Sequence, residues 1–395
     1  MNASIRVAAV VAYALLPLAV ASASAAPTCE WTLFPTLDPY RTGNQLVAVA
    51  GTGASDVWEV GASFRKTVSL GYVLHWNGST WTAYKEADPL KFGGQFSGVA
   101  APAAGDVWAV GSQYGASGYR KSQAAIEHWT GSQFAVVAAP AVQNAATVLY
   151  GVAAFGSNDI WAAGGSQATG ALEQSYLIHW DGSAWTQAAS PNVPKFSTNL
   201  TAVAGSSSTD VWSVGDAYGI PSSNYQTLAE HWDGSAWTIV PTQTPTGHSG
   251  RLNAVTALSP TDAWAVGQYV NGSSLVPLTE HWNGSGWTTV PAPDPGGGSV
   301  FLLGVTAVSS TEVWAVGEIA RGKRVVTYAL RWDGTAWKVA KSQNVPKRAA
   351  TLFNGVAAIP GAGLWAVGGD ASAKDVIDTV TEQYSCGQER PASPR

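Results

Sequence analysis

The stretch CEWTLFPT, Cys29 to Thr36, stands near the start of the chain and matches the end of a pattern whose full copies come later, as in SAWTIVPT from Ser235 to Thr242. Two half-motifs make up a full copy. The first is DVWEVG at Asp56, DVWAVG at Asp106, DIWAAG at Asp159, DVWSVG at Asp210, DAWAVG at Asp262, EVWAVG at Glu312 and GLWAVG at Gly363. The second is HWNGSTWT at His75, HWTGSQFA at His128, HWDGSAWT at His179 and His231, HWNGSGWT at His281 and RWDGTAWK at Arg331. The seventh copy breaks off as EQYSCGQ from Glu382, without its closing tryptophan. The opening fragment is the missing piece.

Self-similarity at a period near fifty residues signals stacked supersecondary units, because one unit cannot bury both its faces alone. Each copy supports four short strands, with Asn-Gly or Asp-Gly between apolar runs as hairpin signals. The expected fold is therefore all-β: a seven-bladed β-propeller of four-stranded blades, closed by an N-terminal strand that completes the last blade. Repeats begin near residues 46, 96, 149, 200, 252, 302 and 353, within a propeller over 26–388 whose residues 26–40 form the outer strand of blade 7. Residues 389–395 read as a disordered tail. Laid on EHWDGSAWT, Cys386 falls at the position of Gly234 and Cys29 at that of Ser235, where a hairpin turn would have joined the strands. A disulfide there replaces the missing peptide link.

Residues 1–25 carry one positive charge, an apolar run and the small residues ASASAA, the pattern of a secretory signal peptide. The expected product is secreted and extracellular, with no membrane insertion, and monomeric; secretion also supplies the oxidising compartment that a disulfide needs. A formal net charge of -5 argues against a nucleic-acid partner.

The repeats resemble those of secreted bacterial seven-bladed propellers built on DVWAVG…HWDGSAWT and, more distantly, kelch-type propellers, whose Gly pair is matched by Gly164–Gly165 and Gly368–Gly369. The resemblance spans essentially all of the chain after the leader and implies the fold. Propellers of this kind include enzymes, scaffolds and lectins, so function has to be argued from the site.

All 19 tryptophans are repeat positions, which assigns them to packing between blades. His75, His128, His179, His231 and His281 occur once per blade and lie far apart in a circular array, so no metal site and no cofactor are expected. Where the sixth copy has Glu312 it has Arg331, and where the seventh has Gly363 it has Gln383. That joint change predicts an Asp–His contact within each of blades 1 to 5.

Connections between strands 2 and 3, and from blade to blade, are long and variable and emerge on one face, which is the expected binding surface. The expected ligand is a carbohydrate or anionic polymer. In each first strand one residue varies beside an invariant Ala or Gly, and Ser97, Tyr150, Asn253 and Asn354 are its polar or aromatic forms, suited to a channel mouth. Tyr114, Tyr119, Tyr218 and Tyr225, with Arg65, Arg120, Arg321 and Arg324, add aromatic surface and guanidinium forks. The alternatives are a carbohydrate-active enzyme, a glycoside hydrolase or polysaccharide lyase using Glu59, Asp216, Glu318 or Asp370 at the channel mouth, and a structural cell-surface scaffold.

Overall fold

The computed structural model describes residues 29–386 except 41–42, 66–67, 88–92, 116–117, 220–223, 246, 347 and 373–376. The expected signal peptide over 1–25 and the expected disordered tail over 389–395 lie outside the described residues. Every described element is a strand, and each sheet is antiparallel but for one bridge; a further isolated parallel bridge pairs Ser69 with Gly93.

Unit 1 consists of β2 (Asn44–Gly53), β3 (Asp56–Arg65), β4 (Val68–Trp76) and β5 (Trp81–Lys85). Unit 2 consists of β6 (Gly94–Ala103), β7 (Asp106–Gly115), β8 (Gly118–Trp129) and β9 (Phe134–Val136). Unit 3 holds β10 (Ala145–Gly156), β11 (Asp159–Ala168), β12 (Gln174–Trp180) and β13 (Trp185–Gln187), and unit 4 holds β14 (Phe196–Ser207), β15 (Asp210–Gly219), β16 (Tyr225–Trp232) and β17 (Trp237–Ile239). Unit 5 comprises β18 (Gly250–Ser259), β19 (Asp262–Asn271), β20 (Ser274–Trp282) and β21 (Trp287–Thr289). Unit 6 comprises β22 (Ser299–Ser309), β23 (Glu312–Arg321), β24 (Arg324–Trp332) and β25 (Trp337–Ala340), and unit 7 is β26 (Ala350–Ile359), β27 (Gly363–Ala371), β28 (Ile377–Cys386) and β1 (Cys29–Phe34).

The sheet count differs from the expected seven. Units 1 to 5 are separate four-stranded sheets, whereas units 6 and 7 form one eight-stranded sheet. The cause is local: a single parallel bridge, Val325 to Ala350, links β24 to β26, with Val325 N–H donating to Ala349 O at 3.2 Å. Among the described residues no sheet closes on itself by hydrogen bonds.

Face-to-face packing joins the units instead. The aromatic that opens each outer strand packs edge-on against the second-strand tryptophan of the preceding unit. Phe134 meets Trp58 at 83°, Trp185 meets Trp108 at 79°, Trp237 meets Trp161 at 79°, and Trp287 meets Trp212 at 82°. Trp337 meets Trp264 at 89°, Trp31 meets Trp314 at 84°, and Trp81 returns to Trp365 of unit 7 at 74°. Trp31 belongs to the opening fragment. The fragment pairs in register with β28 from Cys29 opposite Cys386 to Phe34 opposite Thr381, and the two cysteines are disulfide-bonded.

The Asp–His contacts form beside the same second-strand tryptophans, with the His75 ring stacked on Trp58 at 3.9 Å. His75 meets Asp56 at 2.9 Å, His128 meets Asp106 at 2.7 Å, His179 meets Asp159 at 2.7 Å, His231 meets Asp210 at 2.7 Å, and His281 meets Asp262 at 2.9 Å. Arg331 pairs with Glu312 at 3.3 Å, and Gln383 donates to Ala362 O at 2.6 Å. Each pair closes the start of strand 2 onto the end of strand 3, satisfying polar groups beside a buried tryptophan.

Candidate functional site

The varying first-strand residue turns out to be a β-bulge in every unit. Leu46 pairs with Gly61 and Ala48 with Val60, leaving Val47 unpaired; Ser97, Tyr150, Thr201, Asn253, Leu303 and Asn354 are left out in the same way. A bulge re-aims the side chain and sharpens the strand's twist. It also explains the glycine after each Trp-x-[Val/Ala]. The bulge presses a carbonyl onto that residue, so a β-carbon on Gly61 would lie 1.9 Å from Gln45 O, and one on Gly215 1.9 Å from Asn199 O.

All seven bulge residues line one cavity of about 430 Å³. Several of their donors already have partners. Thr201 Oγ1 donates to Leu252 O at 2.9 Å, Asn253 Nδ2 to Leu302 O at 2.7 Å, and Asn354 Nδ2 to Leu46 O at 2.7 Å. Each of these bonds crosses to the next unit, and the last joins unit 7 to unit 1. The channel's polar ring therefore works first as a staple between inner strands.

The four candidate carboxylates do not converge. Glu59 is fully buried between units 7 and 1, where Thr381 Oγ1 at 2.9 Å and Thr36 Oγ1 at 3.4 Å donate to it, and it is not among the residues lining the cavity. Burial pushes its pKa up to about 8. Asp370 pairs with Arg348 at 3.0 Å in a second cavity of about 260 Å³, beside Asp38 and Asp378, and burial raises it to about 6. Glu318, in unit 6, is raised by burial alone.

Glu59 belongs to a set that sequence reading missed. Glu127, Glu230, Glu280 and Glu382 precede the His or Gln of the second half-motif, and each is buried against the chain leaving the previous unit. Ala87 N–H donates to Glu127 at 2.8 Å, Gln243 N–H to Glu280 at 3.0 Å, and Gln343 N–H to Glu382 at 3.0 Å. Ser190 Oγ and Ser175 Oγ serve Glu230 at 2.7 and 3.0 Å. In unit 1 the corresponding residue is Leu74, and Glu59 is its cross-strand neighbour. The carboxylate has moved one strand inward and kept its task. The signal was present: an acid at one repeat position, on the face that alternation turns into a seam.

Asp216 lies in a richer setting at the long-loop end of units 3 to 5. Tyr218 and Tyr225 are cross-strand partners with ring centroids 4.7 Å apart. The Arg251 guanidinium carbon sits 3.4 Å from the Tyr225 ring centroid, and its Nε lies 3.6 Å from Asp216 Oδ1. Across the seam, the Glu173 carboxyl folds over Gly165: a β-carbon there would lie 2.3 Å from Glu173 Oε1 and 3.0 Å from Asn199 Oδ1. Burial, then the charge of Asp216, raises Glu173 to about 7. A proton held there suits the neighbouring Asn199 Oδ1, which is buried without a donor. Burial also raises Asp216, while Arg251 opposes the shift. Gln268, which follows Gly267 as Asp216 follows Gly215, accepts a bond from the cavity-lining Asn253 at 2.6 Å. Asp216 itself is not among the residues lining the cavity.

Of the remaining candidates, Tyr225 joins this corner. Tyr114 is half-buried in unit 2, apart from it. Arg321 and Arg324 face each other across the end of β23 and β24, both exposed, with Arg321 Nη2 donating to Gly296 O at 3.3 Å. The side chains of Arg65, Tyr119 and Arg120 lie outside the described residues. Tyr218 was singled out with Tyr225, whereas Glu173, Asn199 and Arg251 were not, because their meeting depends on how neighbouring units pack.

No protein-family model matches the chain, and no curated protein matches its sequence. Solved β-propeller structures do match its fold. A polysaccharide lyase of family PL25, an ulvan lyase bound to -[GlcA(1-4)Rha3S]-, is 8% identical with a TM-score of 0.55, over 86% of this chain and 94% of that one. The GH74 xyloglucanase of Xanthomonas campestris is 14% identical with a TM-score of 0.52, over 89% of this chain and 55% of that one. YCF48 bound to D1 peptide is 12% identical with a TM-score of 0.50, over 90% and 95%. The chain is thus similar in fold to β-propellers.

Proposed function

We propose that the chain is a closed seven-bladed propeller, exported from the cell, that binds a carbohydrate on its long-loop face at the corner formed by units 3 to 5. The eight-stranded sheet counts as two blades, since its halves repeat the packing of the other units and meet at one bridge. The observation that carries the binding reading is the Tyr218–Tyr225 pair with Arg251 stacked on it and Asp216 beside it. Aromatic faces next to fixed polar groups suit a sugar, whose C–H face stacks while its hydroxyls take hydrogen bonds. Export agrees with the leader-like residues 1–25 and with the disulfide. Two of the propellers similar in fold are a polysaccharide lyase and a xyloglucanase.

A glycan array probed with the mature chain tests this reading, followed by calorimetry on Tyr218→Ala and Tyr225→Ala. Each variant is expected to weaken binding about tenfold or more, on the order of 1–2 kcal/mol. An array without a ligand would remove the proposal.

An enzymatic reading has its own support in the Glu173 carboxyl, held to about 7 beside Asp216, because paired acids with shifted pKa values can exchange protons with a substrate. Product release from any bound polysaccharide, abolished in Glu173→Gln with binding retained, would establish it.

A further inference from the structure

Arg251 differs from the other described arginines that have acidic neighbours. Arg348 is held between Asp370 and Asp378, and Arg331 pairs with Glu312. Arg251 is braced on one side only. The Tyr225 ring fixes the plane of its guanidinium from below, Asp216 engages Nε, and the side chain remains 40% exposed. Neither Nη atom donates a hydrogen bond to any described residue. The outer edge of the fork, two parallel N–H groups, is the geometry that takes a carboxylate or a sulfate in a bidentate grip. Bracing also removes much of the rotamer entropy that an exposed arginine would lose on binding.

Position strengthens the case. Arg251 lies two residues before the cavity-lining bulge residue Asn253, and its fork stands over Tyr225, beside the tyrosine pair. A saccharide ring lying against Tyr218 and Tyr225 would bring a substituent on its edge to the Nη groups.

We propose that Arg251 is the acid-reading residue of this site, and that the ligand is an acidic saccharide whose carboxylate or sulfate ester pairs with the Nη edge of Arg251 while its ring lies against the tyrosine pair. The inference rests on the carbohydrate reading above and names its ligand class. Asp216 is balanced by Arg251 itself, which leaves Glu173 as the acid nearest to them, and below about pH 7 its retained proton keeps that neighbour from repelling the ligand.

Calorimetry on the mature chain with tetragalacturonate, a heparin-derived tetrasaccharide and cellotetraose tests it. One of the two acidic probes is expected to bind at least tenfold tighter than cellotetraose, with affinity falling as salt rises because the contact is exposed; which one binds tells carboxylate from sulfate. Arg251→Gln is expected to bring that affinity down to the cellotetraose level, and Arg251→Lys, which keeps the charge beside Asp216, to lose an intermediate part. Lys338→Ala, an exposed cation of unit 6, is expected to change nothing. Cellotetraose binding as well as or better than both acids, or unchanged acid affinity in a folded Arg251→Gln, overturns the inference and leaves the carbohydrate reading standing. If none of the three probes binds and the array is also blank, the carbohydrate reading falls and takes this inference with it.

Discussion

Two kinds of seam hold the units together, and the linker decides which kind is used. At the seams entering units 2, 5 and 7, the residue six places after the outer-strand aromatic is Ala87, Gln243 or Gln343, whose N–H donates to a buried glutamate. At the seams entering units 3 and 6 the same place holds Pro140 or Pro293, which has no N–H to give. There the glutamate is replaced by Ile178 or Leu330, and a tyrosine two residues earlier turns the bond around. Tyr176 donates its hydroxyl to Pro140 O at 2.5 Å, and Tyr328 donates to Pro293 O at 2.6 Å. Entering unit 4 the place is Pro191, and Glu230 takes serine hydroxyls instead. The lesson is one of polarity: a linker that donates is met by an acceptor, and a linker that only accepts is met by a donor, since either mismatch would bury an unpaired group.

The two kinds of seam should respond differently to pH, and this is the largest expected effect. Burial raises Glu230 and Glu280 to about 7 and Glu382 and Glu59 to about 8, from an ordinary value of 4.5. The folded chain then holds protons that the unfolded chain releases between those values. Their stabilising contribution is complete below about 4.5 and is lost as pH rises toward 8. Thermal melting between pH 5 and pH 8.5 is expected to show a fall summing to several kcal/mol, on the order of 10 °C. Glu280→Gln should flatten that dependence, whereas changes at the tyrosine seams should leave its slope alone. A melting temperature that rises with pH over this range would contradict the account.

Removing a whole tyrosine comes next. Tyr328→Ala opens a cavity beside Leu302 and Trp264 and is expected to cost about 3–5 kcal/mol in denaturant unfolding. Tyr328→Phe, which loses only the hydroxyl, is expected to cost about 1–2 kcal/mol. An unchanged stability in Tyr328→Phe would show that the bond to Pro293 contributes nothing.

The Cys29–Cys386 bond offers a comparison outside the seams, because it stands in for a turn within unit 7 and not for a contact between units. Cys29→Ser is expected to lose about 2–5 kcal/mol, measured by the shift in denaturant midpoint. No shift would mean that the pairing of β1 with β28 suffices to hold the strand.

The smallest net change sharpens the comparison most. Gln243→Pro strips the donor from Glu280 and is expected to cost about 1–3 kcal/mol. Adding Leu278→Tyr and Glu280→Leu converts the seam to the tyrosine kind and should recover most of that loss. A triple variant less stable than Gln243→Pro alone would break the rule.

Much of this architecture was legible along the chain because strand periodicity and turn chemistry are local. The half-motifs placed the strands, the missing tryptophan of the seventh copy found its replacement in Trp31, and the joint change from Asp and His to Glu and Arg foretold the contacts at each turn. The exchange of Glu for Tyr opposite proline was also written in the sequence. It becomes readable only once the linker of one unit is known to lie against the third strand of the next.

By itself, then, the sequence determined what each unit is and how the chain's two ends meet, for those depend on spacing within one copy. Only the tertiary structure decided what lies between copies. Thr201, Asn253 and Asn354 have the composition of ligand-binding groups, yet their donors staple neighbouring strands, and Glu59 has the look of a catalytic outlier while serving as a buried seam. Glu173, Asn199, Asp216, Arg251 and the tyrosine pair come from three successive units. No spacing within a repeat brings them together, because the distance and angle between packed sheets, set by bulges and interlocking tryptophans, decide which side chains meet.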